Sequence, residues 1–171
     1  MDIKEYKCKL YANLKPKPGQ TMGNAKSEAW NNSDYVKELN KKQREEMKQW
    51  AQHFDKCAVC HWPTTDFRRR MEVHHLIGGG NRAKAHHPKA YLPLCSRCHG
   101  VYHSGKIVAN VPDIDMGILL QAKKECDPEN YDPQFLAELR NKKHLGHDPK
   151  PIPDYYQSER LRNAKWKTRN P

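Results

Sequence analysis

The chain has 171 residues, with 31 Lys and Arg against 20 Asp and Glu, a formal net charge of +11, a pI near 9.4 and a mean hydropathy of -1.07. With 36% hydrophobic residues it can bury one modest core flanked by extensions, and no stretch approaches the ~20 consecutive apolar residues that span a bilayer. A basic field of this size recruits polyanions, which makes nucleic acid the expected partner class.

The first twenty residues hold no apolar run of the kind found in a secretion signal, so a soluble, cytoplasmic protein is expected. In a reducing compartment, paired cysteines read first as metal ligands. Residues 1–32 carry Pro16, Pro18, Gly19 and Gly23 among lysines, and they read as an extended basic arm, poorly ordered alone. Ser33 is an N-cap candidate. Beyond it, Tyr35, Val36, Leu39, Met47, Trp50 and Phe54 recur at helical spacing, which predicts a helix over 33–54 leaning on the following domain.

Residues 55–110 form a centre rich in cysteine and histidine. Residues 111–146 read as a helical extension: one helix opened by Pro112 or Asp113 and another beginning near Pro133. Residues 147–171 are proline-rich and then basic, and they read as a DNA-contacting tail rather than core, with Trp166 and the paired Tyr155 and Tyr156 as docking anchors. The fold class expected from this order is α+β.

Two CxxC knuckles, Cys57 with Cys60 and Cys95 with Cys98, carry the strongest spacing signal. Four thiolates from two such pairs make a closed tetrahedral zinc site, which is structural because no coordination position is left open. Cys8 and Cys126 stand alone as ordinary thiols. The 34 residues between Cys60 and Cys95 leave room for another element.

That element is marked by histidine. Met71 to His103 holds six of the ten histidines. Met71 to Leu76 reads as a strand running into the Gly78–Gly80 turn, and on a strand His74 and His75 point to opposite faces. The segment after the second knuckle reads as a helix, on which His99 and His103 sit at i and i+4, one turn apart. Two imidazoles so spaced can share an ion, one of the strand pair can join them, and the other is left for a different task. The plain alternative is a pair of exposed strand histidines, with His99 merely helping the zinc knuckle and His103 on the surface. His86 and His87, before Pro88, read as phosphate-contacting or solvent-facing.

The order CxxC, a His-containing strand, a glycine-rich loop and then LPLCSRCHGVYH resembles the HNH nucleases, whose ββα-metal fold wraps two strands and a helix around one catalytic cation. The resemblance runs from about Cys57 to His103. Its His-His pair and His-x-x-x-His resemble the colicin-type branch, while its paired knuckles resemble a phage branch that resolves DNA junctions. It implies a metal-dependent endonuclease of phage, prophage or bacterial origin. By resemblance His74, His99 and His103 hold the catalytic cation and His75 is the general base, with Cys57, Cys60, Cys95 and Cys98 on structural Zn²⁺. One departure stands out: the Asn that usually lies five residues before the third zinc cysteine is Ala90 here, with Asn81, His86 and His87 as substitutes from the loop.

The chemistry is self-consistent. Neutral imidazoles leave a cation its full charge, and a separate histidine of unperturbed pKa ~6.5 can take a proton from water. Three imidazoles favour Zn, Ni, Co or Mn over Mg in raw affinity, so Mg²⁺, Mn²⁺ or another divalent cation is expected as cofactor. Arg68, Arg69, Arg70, Arg82, Lys84 and Lys89 are the expected clamp on the DNA backbone. The competing reading is a non-catalytic zinc-ribbon DNA-binding accessory protein in phage recombination or packaging.

Overall fold

Several helix starts in this chain are capped by short polar side chains. In the computed structural model, which describes residues 2–66, 68–77, 86–104, 111–139 and 148–169, Thr21 Oγ1 accepts from the Asn24 amide and Ser33 Oγ accepts from the Val36 amide. These caps open α2 (Met22–Asn32) and α3 (Asp34–Ala51), which follow α1 (Ile3–Tyr11). The chain divides into two compact units, Met1–Met47 and Lys48–Pro171.

In the first unit the expected extended arm is instead two helices, α1 and α2. They meet through aromatic rings: Tyr6 lies 6.3 Å from Trp30 and 5.3 Å from Tyr35, and Trp30 lies 5.6 Å from Tyr35, centroid to centroid. Lys7 Nζ sits over the Trp30 ring at 4.5 Å. Pro16 and Pro18 fall between the two helices, where Gly19 takes a φ of 78°. Only Ala25 and Ser33 are buried among the described residues of this unit, so neither helix carries the apolar stripe that would have announced it.

The second unit is α+β. Its sheet has two antiparallel strands, β1 (Met71–His75) and β2 (Tyr91–Cys95), in the register Met71 opposite Cys95 and His75 opposite Tyr91. All five residues of β2 are buried, and β2 runs directly into α4 (Ser96–Ser104). The core gathers Val59, Leu76, Leu92, Leu94, Leu119, Leu136 and Tyr156 around the four knuckle cysteines.

Three further helices follow. α5 (Met116–Cys126) begins later than Pro112 or Asp113, because the residue that caps it is Asp115, whose carboxylate accepts from the Ile118 amide. α6 (Pro133–Leu139) begins at the proline, with Asp132 accepting from the Phe135 amide. Gly117 lets the chain return across α5: the Lys150 amide donates to its carbonyl, and a Cβ there would stand 2.9 Å from the Asp148 carbonyl oxygen.

The C-terminal segment corrects the expectation of a tail outside the core. It forms α7 (Asp154–Arg169), which buries Tyr156 completely, with the phenol donating to the Pro112 carbonyl at 2.6 Å. Arg160 reaches the first knuckle, its Nε donating to the Val59 carbonyl at 2.8 Å and its Nη2 to the Ala58 carbonyl at 2.9 Å, while Nη1 meets Glu125 at 2.7 Å. Asn163 Nδ2 donates to the Cys60 carbonyl. The paired tyrosines serve this packing: Tyr155 accepts from Arg97, whose other arm pairs with Glu159. The Trp166 side chain lies outside what is described.

A fully buried lysine closes the far side. Lys123 Nζ donates to the Pro88 carbonyl and to Asp127, and it lies 5.3 Å from the centre of the Trp50 ring. Burial pulls its ammonium below the usual lysine range, against the opposing pull of Asp127. The last turn of α3 thus meets the core through Trp50, which also packs on Tyr91. Among the described residues no helix is long and apolar enough to cross a membrane.

Candidate metal centre

The first knuckle is a tight turn. The Cys57 amide donates to the Trp62 carbonyl and the His61 amide to the Cys57 carbonyl, which requires a left-handed His61 at φ 56°. The Ala58 amide donates to the Pro93 carbonyl, tying this turn to β2, at whose end Cys95 begins the second knuckle. The outcome is a buried cluster of Cys57, Cys60, Cys95 and Cys98, with all four sulfurs within 4.8 Å of one another.

The spacing suits one ion. Cys60 Sγ and Cys95 Sγ are 3.7 Å apart, and a tetrahedral ion with ~2.3 Å bonds to sulfur sets its ligands about 3.8 Å apart. Hydrogen bonding with Cys57 foremost holds the Cys95 thiol far below its ordinary range while it drives the Cys60 and Cys98 thiols far above theirs. Four sulfurs in one buried pocket do not all ionise without a cation, and the cluster could hold a metal ion.

The sequence-predicted histidines form a second cluster. His74 on β1 and His99 and His103 on α4 bring one ring nitrogen each to within 4.8 Å of the others. Ring centroids are 5.2 Å apart from His74 to His99, 5.2 Å from His74 to His103 and 4.6 Å from His99 to His103. His74 is 3% exposed, and its Nε2 is buried with no hydrogen-bond partner. A buried imidazole nitrogen without a partner costs free energy unless something is bound to it.

Charge state fits the same purpose. Burial pushes His74 down to about 3, with the neighbouring His99 and His103 acting in the same direction, and burial also lowers His103. Both rings are therefore neutral near pH 7, the form that offers a lone pair to a metal.

Glu72 is the residue that motif reading missed. Its carboxylate accepts from His99 Nδ1, which leaves Nε2 of that ring for the cluster. A carboxylate behind a ligating histidine fixes the tautomer and raises its basicity. The signal was available in EVHH, since Glu72 and His74 are two apart on one strand and share a face.

His75 turns to the other face of the sheet. There its ring lies 5.3 Å from that of Tyr91, its cross-strand partner, and 5.1 Å from that of His86. Ala90 is wholly buried, and its carbonyl accepts from the Leu76 amide. His87 is exposed; it caps the short 3-10 turn Pro88–Ala90 by accepting from the Lys89 amide, and its ring packs on Phe135.

No family model, curated protein or solved structure matches the chain. The chemistry available to the centre follows from its own geometry.

The expected cationic clamp divides into engaged and open members. Arg68 forks onto Asp66, with Nε donating to Oδ1 at 3.0 Å and Nη2 to Oδ2 at 2.6 Å, and this pairing holds the Asp66 carboxyl below its usual range. Lys89 pairs with Asp132 at 2.6 Å. Arg69 lies flat on Trp62, 3.9 Å from guanidinium carbon to ring centre, and its Nη1 is buried with no hydrogen-bond partner. Arg70 is exposed at the entrance to β1. Arg82, Lys84, Asn81 and the Gly78–Gly80 turn lie outside the described residues.

Proposed function

We propose that the chain is a metal-dependent HNH endonuclease that hydrolyses DNA phosphodiester bonds. The observation that carries this reading is the division of labour on one strand: His74 joins His99 and His103 in a second metal-ready cluster, while the adjacent His75 faces away. A protein that only binds DNA through a zinc ribbon has no use for three imidazoles converging beside four cysteines that already suffice for a structural ion.

In this reading Cys57, Cys60, Cys95 and Cys98 hold structural Zn²⁺, and His74, His99 and His103 hold a divalent cation such as Mg²⁺ or Mn²⁺. Bound there, the cation would neutralise charge on the scissile phosphate and stabilise the departing 3′ oxygen. His75 accepts the proton from the attacking water. Glu72 holds the His99 ring in the tautomer that presents Nε2. Of the described members of the expected clamp, Arg69 and Arg70 are the ones left for the DNA backbone, since Arg68 and Lys89 are matched within the fold. The fold in this reading is the small ββα-metal core, here β1, β2 and α4.

The second reading, a DNA-binding accessory protein without catalysis, draws on Ala90, which offers no side-chain polar group beside the strand that carries His75. Purified protein incubated with supercoiled plasmid and with single-stranded DNA in Mg²⁺, Mn²⁺, Ni²⁺ or EDTA separates the two. Metal-dependent cutting that vanishes in His75→Ala, with zinc content and DNA binding retained, supports the nuclease; binding without cutting on any substrate supports the accessory protein. About one tightly held zinc per chain is expected on either reading.

A further inference from the structure

The rings beside His75 form an ordered stack that the cysteine and histidine motifs leave unexplained. Tyr91 is 2% exposed and cannot swing away, because Trp50 lies edge-on against it at 5.4 Å and Phe54 backs Trp50 at 4.5 Å. Lys123 sits over Trp50 and also grips the Pro88 carbonyl, so the aromatic wall and the turn leading into β2 are fixed by the same buried ammonium. On this wall the Tyr91 hydroxyl meets His86 Nδ1 at 3.3 Å. The His86 ring then stands nearly perpendicular to that of His75, at 84° and 5.1 Å, while Tyr91 stands at 88° to His75 on its other contact.

We propose that His86, anchored by the Tyr91 hydroxyl, is a positioning residue that fixes the orientation of the His75 ring. Two perpendicular ring contacts at about 5 Å restrict rotation of His75 about its terminal torsion, which is otherwise broad for an imidazole. The hydroxyl of Tyr91 is the part of the device that Phe cannot replace, and the ring of His86 is the part that Ala cannot. The consequence for catalysis rests on the nuclease reading; the ring arrangement itself does not.

The test uses full-length, zinc-loaded protein labelled with ¹⁵N at histidine, with the His75 ring signals assigned by their loss in His75→Ala. Nitrogen shifts of the His75 ring are compared in wild type, His86→Ala, Tyr91→Phe and the double variant, with zinc content and circular dichroism reporting the fold. Single, sharp His75 ring signals in wild type that become broadened or doubled in both single variants, and change no further in the double variant, are the expected result. On a plasmid substrate kcat falls, by up to about 100-fold, with KM unchanged, as for a misplaced reacting group. His75 ring signals that are the same in all four folded proteins overturn the proposal whatever the cleavage assay shows. Ring signals that respond as expected in a protein that cuts no DNA sustain the positioning role and remove the nuclease reading instead.

Discussion

Replacing Arg160 by alanine tests whether α7 is part of the scaffold of the four-cysteine cluster. The guanidinium is one-tenth exposed and satisfies the carbonyls of Ala58 and Val59, residues that are themselves 2% and 0% exposed between the two cysteines of the first knuckle. Its removal leaves both carbonyls buried without donors, at about 1 to 3 kcal/mol each. The third partner, Glu125, has a side chain 36% exposed, so solvent screens that pair and it adds little. A loss of about 2 to 6 kcal/mol follows, a large share of the roughly 5 to 15 kcal/mol that holds a domain together. Urea titration of the zinc-loaded protein followed by circular dichroism reads this directly, and the rate of zinc release to a chromogenic chelator should rise in parallel. Arg160→Lys, which keeps the charge but cannot reach three acceptors in a fork, should recover only part of the loss. A change below about 1 kcal/mol with unaltered zinc release would refute the reasoning, since it would mean that the two carbonyls find other donors.

Three further outcomes follow from the same geometry. Glu72→Gln should weaken Mn²⁺ binding at the histidine cluster by about 10- to 100-fold without lowering zinc content, as calorimetric titration would show; undiminished Mn²⁺ affinity would remove Glu72 from the centre. Gly117→Ala drives a Cβ against the Asp148 carbonyl at 2.9 Å and the Lys150 side chain at 2.6 Å, so about 1 to 3 kcal/mol of stability should be lost in denaturant titration, with faster proteolysis near residues 148–153; a variant as stable and as resistant as wild type would contradict this. Burial first, and then the charge of Arg160, lowers His61 to about 4, whereas an unfolded chain binds the proton near ~6.5. The unfolded state therefore takes up more protons in that window, and stability that is full above pH ~6.5 is lost as the pH falls toward 4. His61→Asn, which tolerates the left-handed turn, should flatten that acid limb relative to wild type, and superimposable pH profiles would show that His61 is not its source.

The centre was largely legible because metal chemistry fixes its ligands at set spacings. The two knuckles, the strand from Met71 and the helix carrying His99 and His103 all follow from periodicity and CxxC arithmetic. Glu72 escaped because one carboxylate two residues before a histidine is a common occurrence, and only the return of α4 over β1 gives it a partner. The helices of the first unit escaped for a different reason: α1 and α2 cohere through Tyr6, Trp30 and Tyr35, three separated aromatics on half-buried surfaces, and so lack a continuous apolar face. The tail was misread because α7 docks by Tyr156, Arg160 and Asn163, two of them polar. In composition, a buried guanidinium spent on carbonyl oxygens cannot be told from one awaiting a phosphate. The same ambiguity hid the pairing of Arg68 with Asp66 and of Lys89 with Asp132, where the matching acid comes from a loop two residues away or from a segment 43 residues on.

Cys98 and His99 are consecutive residues on α4, one in each cluster. Neither cluster can be built without bringing along a member of the other. An ion held by the four thiolates would fix the helix on which His99 and His103 stand. An ion at the imidazoles would then meet ligands whose ordering entropy has already been lost, so that occupancy of one cluster would favour occupancy of the other.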